Sequence, residues 1–85
     1  MIWNTENQNG NKRYTSTVGP FAFTIPENKG GFILSIEIII NDNPHDYRKV
    51  ICESLEKAKD AAEWHLWEIR DDAKNFLATA EEALR

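Results

Sequence analysis

The sequence predicts an α+β domain: a small antiparallel sheet of three to four strands packed on one long C-terminal helix. Three observations predict it. Residues 32–40, Phe-Ile-Leu-Ser-Ile-Glu-Ile-Ile-Ile, alternate so that Phe32, Leu34, Ile36, Ile38 and Ile40 share one face. Turn signals punctuate the first half at Gly19-Pro20, Pro26 to Gly31 and Asn41 to Pro44. From Leu55 onward the chain holds neither Gly nor Pro and is rich in alanine, which favours an uninterrupted helix.

With 85 residues, a single small domain spanning 1–85 is expected. Its core is modest, so self-association would help it. Residues 4–13 are polar and Asn-rich, and residues 1–13 read as a loose arm or an edge strand. Trp3 reads as a tethered plug or as part of that strand. Tyr14–Val18 is strand-like, and Phe21–Ile25 places Phe21, Phe23 and Ile25 on one face. The turn from Pro26 to Gly31 makes a hairpin with the strand Phe32–Ile40. A last short strand, Tyr47–Cys52, sets Tyr47, Lys49 and Ile51 against Val50 and Cys52, completing a sheet over 14–52. Ser54 is the expected N-cap of a helix over 54–84, with Glu56 near its positive end. Asp71-Asp72 is the expected point of any bend.

Charge is unevenly placed. Residues 1–52 hold five acids and five bases; residues 53–85 hold nine acids and five bases, so the net −4 sits in the C-terminal segment. A phosphate-contacting helix is therefore not expected, and nucleic acid is not the expected partner. A basic protein is. The single cysteine, Cys52, excludes an internal disulfide and suits a reducing compartment. The start, Met-Ile-Trp-Asn-Thr-Glu, does not read as a signal peptide, and Ile38-Ile39-Ile40 is far short of a membrane span. The expected location is the cytoplasm, without a membrane partner.

On the helix, Leu55, Ala58, Ala62, Leu66, Ile69, Ala73, Phe76, Ala80 and Leu84 follow one another by three or four. They stay within roughly 40° of one line, which is the sheet-packing stripe. Trp64 and Trp67 fall about 160° and 140° from that line, on the far face. An exposed aromatic pair in acidic surroundings reads as an interface. Its candidate partner-binding residues are Trp64, Trp67, Asp60, Glu63, Glu68, Asp71 and Asp72. The competing readings pack the indoles within the chain, against an N-terminal arm through Trp3 or a bent second helix, or leave them simply exposed. A helix over 54–84 would span about 46 Å at 1.5 Å per residue, more than the sheet it covers. Its end must overhang, so Phe76, Leu77, Ala80 and Leu84 are the candidate contacts of a homodimer.

Catalytic chemistry is not expected. His45 and His65 lack metal-ligand spacing, and Cys52 with His65 lacks an orienting third group. Asp71-Asp72 and Glu81-Glu82 are adjacent on a helix, so their carboxylates diverge by about 100°. Asn28-Lys29-Gly30-Gly31 sits in a hairpin rather than before a helix, so it is no phosphate cradle. No enzyme, cofactor or metal is expected. The alternative function is a nucleic-acid module using the sheet and its basic residues Lys12, Arg13, Lys29, Arg48 and Lys49, beside Tyr14 and Tyr47.

The stretch from Val18 to Leu66, with Ser54-Leu55-Glu56-Lys57-Ala58-Lys59 at its helix start, resembles short phage and prophage proteins. In these a small antiparallel sheet runs into a Ser-Leu-Glu-x-Ala-Lys helix. The resemblance implies an accessory gene product acting in the host cytoplasm, in some cases an inhibitor of a host defence complex of the anti-CRISPR kind. The strand and helix order is also similar to the arm-binding domains of phage integrases and to DNA-binding domains of plant transcription factors. Those read DNA with a basic sheet, whereas the sheet half here is neutral.

Overall fold

In a computed structural model, which describes residues 1–8, 10–28 and 31–85, the chain forms five strands and one helix. The strands are β1 (Asn4–Gln8), β2 (Asn11–Val18), β3 (Phe21–Asn28), β4 (Gly31–Ile40) and β5 (Asn43–Cys52), followed by α1 (Leu55–Ala83). They form one antiparallel meander in chain order. The expected α+β architecture holds, with five strands rather than three to four. The added strand is the polar arm: Asn4–Gln8 pairs with Asn11–Thr15, matching Thr5 to Tyr14 and Asn7 to Lys12. Gly10 has φ +83°, a conformation glycine takes without a Cβ penalty.

Two tight turns carry the strong register. Gly19, at φ +57°, precedes Pro20, and the flanking Val18 and Phe21 pair directly. Asn41 and Asp42 both have positive φ (52° and 63°), the signature of a type I′ hairpin, so β5 begins at Asn43 rather than at Tyr47. Pro26 does not end β3, as the turn signal suggested; the strand continues to Asn28.

Directly paired residues share a face, so the sheet can be read in rows. Ser16, Phe23, Ile36 and Arg48 form one row across β2 to β5. Its first three members are buried under the helix, and Arg48 ends it at the edge. Next to it runs Asn4–Thr15–Thr24–Ser35–Lys49, which is polar across all five strands. Alternation thus gives one face for the helix and one for water. Phe23, Ile25, Leu34 and Ile36 fill the core with Ala58 and Ala62 of the helix. The two alanines let the helix backbone approach the sheet closely.

The helix starts as expected. Ser54 is the N-cap; its Oγ accepts from Lys57 N at 3.1 Å, and its carbonyl from Ala58 N at 3.0 Å. It then runs unbroken for 29 residues through Asp71-Asp72, as one helix rather than two. That is about 43 Å of helix, and the molecule measures 55 × 27 × 20 Å. Among the described residues, no helix is long and apolar enough to cross a membrane.

Candidate functional site

The helix face turned away from the sheet carries two bulky rings. Trp64 is 59% and Trp67 58% exposed, as their angular position on an unbroken helix requires. Trp64 meets the ring of His65 edge-on at 5.0 Å. Trp67 carries the Arg70 guanidinium 4.2 Å above its ring. Neither packs on Trp3. That side chain is half-buried against the core, with Lys59 Nζ 5.9 Å from its ring. Lys59 also lies 5.4 Å from the ring of Tyr14, so one ammonium bridges the N-terminal segment and β2. The plug reading of Trp3 fits, and the two helix indoles remain outside it.

The acids around the indoles sort into two sets. Helical spacing gathers Asp60, Glu63 and Asp71 on the Trp face, where all three are exposed. Glu63 Oε1 lies 3.8 Å from the Met1 amino group, and Asp71 Oδ1 3.9 Å from Arg70 Nε. Both are long surface pairs of little energetic weight. Glu68 is drawn elsewhere. Its Oε2 accepts from Arg48 Nη1 at 3.2 Å and lies 3.3 Å from His65 Nδ1. Asp72 turns toward the flank of the apolar stripe and leaves the indoles. The candidate surface therefore comprises Trp64 and Trp67 with Asp60, Glu63 and Asp71, while Glu68 ties the helix to β5.

The link to β5 depends on an irregularity that alternation does not reveal. The pairing slips between Ile36 and Glu37: Ile36 opposes Arg48, but Glu37 opposes Asp46. Tyr47 is the extra residue of a β-bulge. Its ring meets Phe21 edge-on at 5.6 Å and lies under the Arg48 guanidinium at 5.7 Å. The expected grouping of Tyr47 with Lys49 and Ile51 therefore fails at Tyr47, which turns to the helix side beside Arg48. Lys49 and Ile51 remain exposed, Ile51 at 83%.

The basic residues do not converge. Arg13, next to one edge of the sheet, is bound by Glu6 at 2.6 and 3.2 Å. Arg48, at the other edge, is bound by His65 and Glu68. Lys12 and Lys49 are exposed on opposite faces, and Lys29 lies outside the described residues. Among the described residues, no group of three His, Cys, Asp or Glu side chains could hold a metal ion. Cys52 is half-buried at the sheet end where the helix begins, and His65 bonds to Arg48 instead.

Comparison with known proteins gives no family. No family model, no curated protein and no solved structure matches the chain.

Beyond Arg70 the helix leaves the sheet. Residues 70–79 are all exposed, Phe76 at 71% and Leu77 at 59%; Ala80 is half-buried and Leu84 is 88% exposed. At the root of this overhang lies an apolar groove of about 310 Å³, lined by Val18, Leu66, Trp67 and Arg70. The overhang is legible in the sequence and the groove is not, because Val18 and Trp67 meet only once the sheet is assembled.

Proposed function

We propose that this chain is a non-enzymatic protein–protein interaction module, and that the far face of its helix is the binding surface. The observation that carries the reading is the pair Trp64 and Trp67, both more than half exposed on a rigid helix. Indoles are among the commonest energetic anchors of interfaces, and the ring area that these two leave in water is open to a partner. Asp60, Glu63 and Asp71 around them favour a partner with Lys or Arg at the rim of its site. The narrower reading, inhibition of a host defence complex by a phage product, rests on the sequence resemblance alone.

The test is affinity capture with the full chain, followed by titration of the captured protein. Trp64→Ala with Trp67→Ala should weaken binding by at least about thirtyfold per anchor, and Asp60→Lys with Glu63→Lys should slow association. Helix content should stay unchanged in both variants. Equal affinity for wild type and both variants would sink the proposal. Salt-sensitive retention of labelled nucleic acid would move the function to the sheet.

A further inference from the structure

The imidazole of His65 is buried between the helix and the edge strand. Its Nδ1 lies 3.0 Å from Nη1 of Arg48 and 3.3 Å from Oε2 of Glu68, and the same Nη1 donates to that oxygen at 3.2 Å. Three groups thus meet at one ring nitrogen. A guanidinium only donates, so Arg48 holds the ring by the lone pair of neutral Nδ1. Nε2 has no protein partner and is open to water. Among the described residues, the bonds from Arg48 to His65 and Glu68 are the side-chain hydrogen bonds that join the sheet to the helix. On its other flank the His65 ring meets Trp64 edge-on at 5.0 Å. One imidazole therefore touches both the tie to β5 and an exposed indole.

We propose that His65 is a proton-operated switch beneath the Trp face: on taking a proton at Nδ1, its ring exchanges Arg48 for Glu68 and sets a positive charge against Trp64. The exchange follows from valence. A protonated Nδ1 has no lone pair left for Arg48 and must itself donate, and the acceptor beside it is Glu68 Oε2. Arg48 is nearly half exposed, so its guanidinium can leave the ring for water and keep at most its bond to Glu68. Imidazole changes charge between about pH 5 and 8, so mild acidification operates the exchange.

The other groups around the ring are few. From β5, Tyr47 lies beside Arg48, and His45 occupies the next row on the helix face, opposite Ile38. On that face β4 offers only apolar side chains, Leu34, Ile36 and Ile38, while Glu37 opposes Asp46 on the open face. From α1, Asp72 is exposed two turns beyond His65 on the same side. With a neutral ring, the charges of Arg48 and Glu68 cancel. With the proton, the cluster carries +1 against Trp64 and offsets one of the three acids Asp60, Glu63 and Asp71 on the Trp face. A partner with Lys or Arg at its rim is then held less well. This last step rests on the reading of the Trp face as the binding surface; the exchange at His65 does not.

The experiment is a titration of the free 85-residue chain from about pH 8 to about pH 5, followed in nitrogen–proton spectra of the His65 ring, the Arg48 guanidinium and the Trp64 indole. Arg48 should lose its contact with the ring in step with proton uptake at Nδ1, and the Trp64 resonance should move with them. In a Trp67→Phe chain, quenching of tryptophan fluorescence by iodide should rise about twofold across the titration, and quenching by caesium should fall. His45→Gln should change none of this, and His65→Gln should abolish the response to both ions. Should His65→Gln lose helix, the His45→Gln chain still discriminates, because its response must track the His65 ring. An Arg48 guanidinium that stays on the ring after the proton arrives overturns the proposal. So does a ring that takes no proton above about pH 5, or a quenching response that His65→Gln leaves intact. A target that binds regardless of Trp64 and Trp67 would instead overturn the surface reading and leave the exchange at His65 standing.

Discussion

Arg48 places Nη1 3.0 Å from Nδ1 of His65, joining the edge strand to a buried position on the helix. The same ring nitrogen lies 3.3 Å from Glu68 Oε2. One nitrogen cannot accept from Arg48 and donate to Glu68 at once. A guanidinium can only donate, and the Arg48 contact is the shorter, so the neutral ring should carry its proton on Nε2. Long-range nitrogen–proton correlation spectra of the His65 ring check this directly. Arg48→Ala should shift the proton to Nδ1, where Glu68 accepts it; a wild-type ring already protonated at Nδ1 would contradict the assignment. The stability change should be small, about 1 kcal/mol or less, because Arg48 and Glu68 are nearly half exposed.

Stability should depend on a few sheet residues and hardly at all on others of the same chemistry. Phe23 is fully buried under the helix, and Phe23→Ala removes a ring that nothing nearby can replace. The expected loss is about 3–5 kcal/mol, enough to leave a domain this small largely unfolded at room temperature. Ile51 is as apolar but 83% exposed on the other face. Ile51→Ser should shift stability by no more than about 0.5 kcal/mol. Urea denaturation of the two variants separates them, and comparable losses would mean that the open face is covered.

The contrast between Phe23 and Ile51 also shows what the sequence reveals. Alternation in residues 32–40 located β4 and, at Leu34 and Ile36, its buried face, and the lack of Gly and Pro after Leu55 located the helix. The apolar stripe placed Ala58 and Ala62 on the sheet and the two indoles away from it. Strand β1 is legible only as one of two readings of residues 1–13, an edge strand or a loose arm, because Asn4–Gln8 has no apolar residue to alternate. The signal that could have found it is Asn9-Gly10, a hairpin dipeptide hidden in a polar run. The bulge at Tyr47 left no local trace, so Arg48 looked like one member of a basic patch on the sheet and Glu68 like part of the Trp surface. Their pairing depends on a register that only the folded sheet defines.

That register also opposes two acids. Glu37 on β4 sits directly across from Asp46 on β5, immediately after the bulge. Like charges in that position repel. Asp46→Lys turns the pair attractive on an exposed strand edge, and it should raise stability by about 0.5 kcal/mol. The gain should shrink in high salt, since the pair is solvated. A urea midpoint that falls instead would show that Asp46 serves the bulge in another way.

Backbone protection should divide α1 into two parts. Ala58, Ala62 and His65 are buried, so their turn of helix opens only when the sheet does. Residues 72–79 touch no core residue, and about a dozen residues of isolated helix are marginal in water. Amides 74–83 should therefore exchange on the order of a hundredfold faster than that of Ala62 at low chain concentration. Equal protection of the two parts would mean that the turns beyond Arg70 are packed against something other than solvent.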